Sequence, residues 1–378
     1  MKYLRLSLLL PICLSCARDQ IPPEQESAPQ SLSLQSVLGG DNLEGYVRAE
    51  APRTFVFPQD HGPHPEFRSE WWYITGNLES TAGPFGFELT FFRQATTPSK
   101  EEEHPSAWHT NQIYMAHAAL SDIGQNKFYA DERLSRGALG LAGAQAKPFK
   151  VWLDDWSIES LDAENFVMHL KVKTKDFGLN LQLEPQKDLI LQGDQGLSRK
   201  GHKQGNASYY YSFTNLRAEG TIHRQGEALK TSGKAWMDRE WSSSVLEKNQ
   251  IGWDWFALAF DDGRELMLYQ LRQDDGQISP FSAGTIVEID GQTRKLKRED
   301  IEVQITKWWT NPASQTTYPA GWRIKIAGFS EELLVLPRMA DQELRFGLAY
   351  WEGAVEIRHV EEQEKLGYGY AELTGYTK

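Results

Sequence analysis

Hydrophobic and polar positions alternate along much of the chain beyond Phe55. Within 85–93, Phe85, Phe87, Leu89 and Phe91 fall on one side, and Gly86, Glu88 and Thr90 on the other. A period of two marks a strand with one face on a core. Residues 113–120, 150–158, 166–173, 179–183, 209–213 and 220–223 read as further strands. Residues 252–260 and 265–272 flank Asp261-Asp262-Gly263, a hairpin signal. Residues 301–308, 321–326, 332–336, 349–357 and 367–374 continue the series, and long amphipathic helices are scarce. So many short strands predict an all-β fold of sandwiches or barrels. A body of over 300 residues is large for one small barrel, so two are expected, divided near 232–236. A faint echo supports duplication: Glu70-Trp71-Trp72-Tyr73 opens one half, and Glu240-Trp241 with Trp253-Asp254-Trp255 opens the other.

The N-terminus breaks this pattern. Lys2 and Arg5 precede a short apolar stretch through Ile12, too short to span a bilayer and typical of an export signal. Leu14-Ser15-Cys16 has the form of a lipobox end, with Cys13 where an aliphatic residue is usual, so Cys16 is the expected lipidation site. Ala17 follows it, which in a Gram-negative cell favours an outer-membrane lipoprotein facing the periplasm; without lipidation the chain would be secreted. The Pro-, Gln-, Ser- and Glu-rich stretch that follows reads as a flexible tether. The expected organisation is a signal at 1–16, a tether at 17–52, a first domain at 53–235 and a second at 236–378.

Composition narrows the function classes. The 378 residues carry 40 Lys+Arg against 52 Asp+Glu, a net charge of -12, which argues against nucleic acid as a partner. The only cysteines, Cys13 and Cys16, lie in the leader, so the body has neither a disulfide nor a thiolate metal site. No Gly-x-Ser-x-Gly elbow, Walker motif or Rossmann motif occurs, and no cofactor is expected.

Three clusters carry candidate chemistry. The first is His61, His64, Glu70, Trp71, Trp72 and Tyr73, with His117 on a strand face shared with Ile113 and Met115. It lacks a His-Glu-x-x-His helix, so these histidines are expected to hydrogen-bond loops or the core rather than hold a metal. In the second, Asp238 and Glu240 project from one face of an extended segment, with Arg239 and Trp241 opposite. Two neighbouring carboxyls can split their pKa values into an acid and a base, or tie loops together through arginines such as Arg93. In the third, Asp254 shares a face with Phe256, Leu258 and Phe260 while Trp253 and Trp255 point the other way. A carboxyl on an apolar face must be paired or protonated, which makes Asp254 the leading acid candidate, expected to line an apolar cavity near the domain junction or a barrel mouth.

Several longer motifs complete the reading. Phe57-Pro58-Gln59-Asp60-His61-Gly62-Pro63-His64, the run from Ser69 through Tyr73 to Leu78, and Asn111-Gln112-Ile113-Tyr114-Met115-Ala116-His117 resemble the AttH/CrtC family of lipocalin-like proteins. So do Gly205 to Ser212, Trp236 to Trp241, Gly252-Trp253-Asp254-Trp255-Phe256 and Tyr350-Trp351-Glu352-Gly353. The resemblance runs from about Phe57 to Tyr376 and implies two tandem lipocalin-like antiparallel β-barrels. One branch of the family contains carotenoid 1,2-hydratases. The other contains exported AttH-type proteins, called predicted secreted hydrolases or associated with ABC transporters, and the export signal places the chain with these. The hydratase branch has a histidine two residues before the tryptophan corresponding to Trp241, where this chain has Arg239.

Two functions follow as expectations. The leading one is an envelope lipoprotein, held on the membrane by its N-terminal lipid, that binds a lipid or other apolar small molecule and works with an ABC transporter permease. His61, His64, Glu70, Trp71, Trp72, Tyr73, His117, Arg239, Trp241, Trp253 and Trp255 are its candidate walls. The alternative is a hydratase-type lyase that protonates an isolated C=C bond, with Asp254 as acid and Asp238 or Glu240 orienting water.

Overall fold

The computed structural model describes residues 43–98, 105–162, 164–244 and 246–376. The expected signal, Cys16 and most of the tether lie outside these residues. The described end of the tether, 43–52, packs on the body: Tyr46 donates to the Ala95 carbonyl at 2.9 Å, the Val47 amide to the Glu66 carbonyl at 3.0 Å, and Ala49 is buried.

The chain forms two nearly closed antiparallel barrels, one built on a 13-stranded sheet and the other on a 10-stranded sheet. Among the described residues the helical elements are two 3₁₀ turns, Gln59–His61 and Arg298–Asp300, and no helix is long and apolar enough to cross a membrane. The division falls later than 235/236. Strand Glu227–Ser242 pairs with Ser69–Ser80 on one side and Ala207–Arg224 on the other, so it belongs wholly to the first barrel. The chain crosses to the second barrel between Ser242 and Gln250, the start of the next strand. Glu240-Trp241 therefore closes the first barrel rather than opening the second.

Local details depart from the pattern for identifiable reasons. The expected strand at 150–158 is two strands, Phe149–Leu153 and Trp156–Asp162, because Asp154 adopts a left-handed φ of 54° and closes a tight hairpin. The strands expected at 209–213 and 220–223 are one, Ala207–Arg224, bent by a bulge between Phe213 and Leu216.

Alternation sorts side chains into three cores. Trp72, Ile74, Phe85, Phe87, Leu89, Phe91, Met237 and Trp241 fill the first barrel. Phe256, Leu258, Trp322, Val335, Trp351 and Leu373 fill the second. The opposite faces of the same strands meet between the barrels, where Tyr73, Tyr210, Trp236, Trp255, Ala257, Tyr269, Ala354 and Tyr370 form a third core. Polar bonds cross the same interface: Asn77 to the Gly369 carbonyl at 2.9 Å, Ser121 to Gln342 at 2.6 Å, and Lys187 to Glu265 at 2.8 Å. Packed side chains occupy both interiors, and a cavity walled largely by aromatic side chains lies at the interface.

Candidate functional site

A cavity of about 80 Å³ lies between the barrels. The first barrel contributes Trp71 and Tyr73, Thr90 and Phe92, Tyr210, and Asp238 with Glu240. The second contributes Trp253 and Trp255, Tyr269 and Leu271, Tyr350 with Glu352, and Glu372; Lys200 completes the wall. Register explains the assembly. Tyr73 lies beside Asp238 and Trp71 beside Glu240, while Trp255 sits between Tyr269 and Glu372. Glu352 is directly opposite Glu372 on the neighbouring strand. Trp71, Phe92 and Trp253 are only partly buried and mark the cavity's exposed side.

The first-barrel strands split the sequence clusters by parity. Trp71 and Tyr73 face the cavity, whereas Glu70 and Trp72 face the barrel interior. Asp238 and Glu240 likewise face the cavity, with Arg239 and Trp241 behind them. The hidden groups plug the barrel. Glu70, fully buried, binds both Arg93 and Arg239, and His64 stacks on Trp241 with ring centroids 3.8 Å apart. Burial alone would raise the Glu70 carboxyl, but the two guanidiniums and His64 outweigh it and hold it well below the usual range. His61 bonds the Tyr211 hydroxyl at 2.7 Å and stacks on Phe166. Burial, helped by Arg239, lowers its pKa to about 3, so the ring is neutral. Arg239, where the hydratase branch has histidine, is a barrel-plug residue: it also donates to the carbonyls of Gly62, Trp71 and Glu240. His117 is a satisfied interface histidine, bonded to Tyr350 at 2.8 Å and Glu132 at 3.0 Å.

Asp254 lies elsewhere than expected. It is buried on the face of Phe256 and Leu258, but that face looks into the second barrel, and the cavity is walled by its neighbours Trp253 and Trp255. Arg272 donates to it at 3.0 Å, and Tyr376 at 2.9 and 3.0 Å. Burial still raises its pKa, though Arg272 and Tyr376 oppose the rise. Its role is a buried tie within the second barrel.

The cavity carboxyls differ from one another in partners. Asp238 accepts from Tyr210 and Ser212, each at 2.5 Å, and from the Trp236 indole at 2.7 Å. Burial pushes its pKa up to about 7 against these three donors. Glu240 accepts from Ser208 and pairs with Lys200 at 3.4 Å. Arginines serve neither; Arg93 and Arg239 are held by Glu70. Glu352 is 1% exposed and neither of its oxygens closes a hydrogen bond, although the Tyr73 and Tyr350 hydroxyls are its polar neighbours. Burial first, and then Glu88 and Glu372, push it well above the carboxylate range. Glu372 is pushed up to about 7, chiefly by burial. Glu88, across the interface from them, is likewise raised by burial and has one oxygen without a partner. The cavity thus combines eight aromatic side chains with two carboxyls, Asp238 and Glu372, raised to about 7, and a third, Glu352, raised well above the usual range.

Glu352, Glu372, Lys200, Tyr210, Tyr269 and Tyr350 are wall residues that the candidate clusters missed. The signal for the two glutamates was the one that singled out Asp254: a lone acid inside an apolar strand, in Tyr350-Trp351-Glu352-Gly353 and Tyr370-Ala371-Glu372-Leu373. Lys200 carries no such signal, because it reaches the cavity from a loop.

The comparisons agree with this architecture. A candidate AttH protein of Nitrosomonas europaea shares 37% identity, with 86% of this chain and 100% of that chain covered and a TM-score of 0.76. Kievitone hydratase from Nectria haematococca shares the fold at 15% identity, covering 88% of this chain and 97% of that chain, with a TM-score of 0.65. Among curated proteins none matches. The AttH-like pattern matches residues 48–376, the two barrels together, and the chain belongs to the AttH-like family.

Proposed function

We propose that the protein is a cofactor-independent hydratase that adds water across an isolated C=C bond of an apolar, branched chain. The observation that carries this reading is Glu352: a buried carboxyl without a hydrogen-bond partner, on the wall of an aromatic cavity that it shares with the three-donor carboxyl of Asp238. Pure apolar binding gains nothing from four carboxyls, which cost free energy to bury. In the step proposed, the Glu352 carboxyl gives its proton to the less substituted alkene carbon, and the π pair forms the new C–H bond. The resulting cation lies among the faces of Trp71, Tyr73, Trp253 and Trp255. Water attacks the cationic carbon, and its excess proton passes to the Asp238 carboxylate. Asp238 then releases its proton to solvent and Glu352 takes one up, which restores both groups.

The cavity has room for a chain end and a few waters, so the bulk of a long substrate would lie outside the partly buried tryptophans. A hydratase that shares the fold adds support at the level of architecture alone. An exported chain anchored at Cys16 would meet such an apolar substrate at the envelope. Incubation with prenylated phenols and acyclic isoprenoids in D₂O tests the reading. The expected product gains one D₂O, with one deuterium on carbon, and disappears in Glu352→Gln. Saturable binding without product would instead favour a lipid-binding role, with an ABC transporter permease as partner.

A further inference from the structure

The cavity is unbalanced in charge. Four carboxyls, those of Asp238, Glu240, Glu352 and Glu372, line it against one lysine. Lys200 is already engaged, paired with Glu240 at 3.4 Å and lying 4.0 Å from the centre of the Tyr269 ring. Nothing cationic among the lining residues answers Glu352 or Glu372. The two stand opposite each other on neighbouring strands, with Glu88 approaching from the other sheet. Like charges so placed repel; both oxygens of Glu352 and one of Glu88 close no hydrogen bond, with the Tyr73 and Tyr350 hydroxyls as the polar neighbours of Glu352. The remaining wall is aromatic apart from Thr90 and Leu271, and the faces of Trp, Tyr and Phe attract cations. The carboxyls do not gather into a metal site: among the described residues no three ligating side chains converge.

We infer that the cavity is a receptor for a single, soft positive charge, and that its ligand class is the small branched alkylammonium ion. This deepens the hydration reading and rests on it for its biological meaning, since a tertiary ammonium head has the shape and charge of the tertiary carbocation in the proposed step. Binding itself requires no turnover. A permanent cation would ionise the protonated carboxyls, so binding should release protons into solution. The groups facing Glu352 that share in this response are Glu372 and Tyr350 on its own sheet, and Glu88 and Tyr73 on the other; Asp238, Glu240 and Lys200 complete the cavity's charge.

Choline and its uncharged isostere 3,3-dimethylbutan-1-ol separate charge from shape. Titration of the purified full chain by calorimetry, in two buffers of different ionisation enthalpy, reads both affinity and protons released. Choline is expected to bind about tenfold or more tightly than the isostere and to release protons at pH 7. Glu352→Gln, which replaces a protonated carboxyl by a neutral amide of the same size, should remove most of that preference and reduce the proton release. Equal affinity for the two probes, no choline binding, or an unchanged preference in Glu352→Gln would overturn the inference. The hydration reading fails separately: choline binding by a protein that never forms the D₂O adduct keeps the receptor and discards the hydratase, and the opposite result does the reverse.

Discussion

The Tyr210 phenol donates to Asp238 at 2.5 Å, and the direction of that bond is fixed by a third residue. The Trp255 indole N–H points at the same phenol oxygen at 3.3 Å, which leaves the phenol proton for Asp238. Ser212 is set the same way: the Gln192 amide donates to its hydroxyl at 2.9 Å, and the hydroxyl proton goes to Asp238. With the Trp236 indole as third donor, Asp238 faces donors only. Burial favours its neutral form and this network favours its carboxylate, so it titrates near neutrality rather than near 4.

Asp238→Asn should therefore damage chemistry more than fold. An amide N–H₂ placed among three donors leaves unmatched groups, at a cost of about 1–3 kcal/mol. Hydration should fall by about 10²-fold or more, as expected when a proton acceptor is lost. Denaturant midpoints and initial rates measure the two effects. A folded Asp238→Asn protein with undiminished turnover would remove Asp238 from the proposed step.

The cavity glutamates leave a signature in stability against pH. The folded-state pKa of Glu372, about 7, lies above its ordinary 4.5, so its protonated form favours folding below pH 4.5 and that contribution fades as pH rises toward 7. The difference corresponds to about 3 kcal/mol at most. Neutral His61 acts in the opposite sense below pH 6.5, since the unfolded chain then takes up its proton more readily. Comparing wild type with Glu372→Gln isolates the glutamate. The variant should gain on wild type between pH 5 and pH 8 in denaturant unfolding, whereas a constant difference would mean that Glu372 is already ionised throughout.

The architecture was legible because strand faces alternate cleanly. Phe85 to Phe91 mark the first-barrel interior, and the sidedness of Asp238-Arg239-Glu240-Trp241 is as the sequence implied. What alternation could not say is which face looks inward. Both faces of the interface strands are buried, one in a barrel and one against the other barrel, so Glu70-Trp71-Trp72-Tyr73 read as one cluster when it serves two chambers. The same ambiguity sent Asp254 to the cavity. Residues brought together by second-half register, Glu352 and Glu372 above all, required the pairing of two strands whose spacing in sequence does not announce it.

The Glu70 plug should be the most sensitive polar site in the first barrel. Glu70→Gln leaves the buried guanidiniums of Arg93 and Arg239 without their carboxylate, and breaking a buried pair in this way costs about 3–5 kcal/mol. Thermal and denaturant unfolding should show a larger loss than for Glu352→Gln, which removes no paired charge. Similar losses for the two variants would mean that the Glu70 ion cluster is not a major support.

Anchoring is separable from the fold. Cys16 follows Leu14-Ser15 in a lipobox-like ending, so fatty-acid analogue labelling should mark the wild type and spare Cys16→Ala. Equal labelling of the two would assign the chain to ordinary secretion.

Asp254→Asn distinguishes the buried tie from the cavity acid. The residue projects into the second barrel with Phe256 and Leu258, held by Arg272 and Tyr376, while Trp253 and Trp255 on either side project into the cavity. An amide keeps one acceptor for these donors but removes the charge that answers Arg272, so stability should fall by about 1–3 kcal/mol. Affinity for choline should stay within about twofold of wild type, because no cavity group changes charge and the tryptophan walls keep their strand. The order of effects should be opposite for Glu352→Gln, which weakens choline binding while leaving stability level or higher. A folded Asp254→Asn protein that has lost choline binding would show that the second-barrel interior communicates with the cavity and would return Asp254 to the functional site.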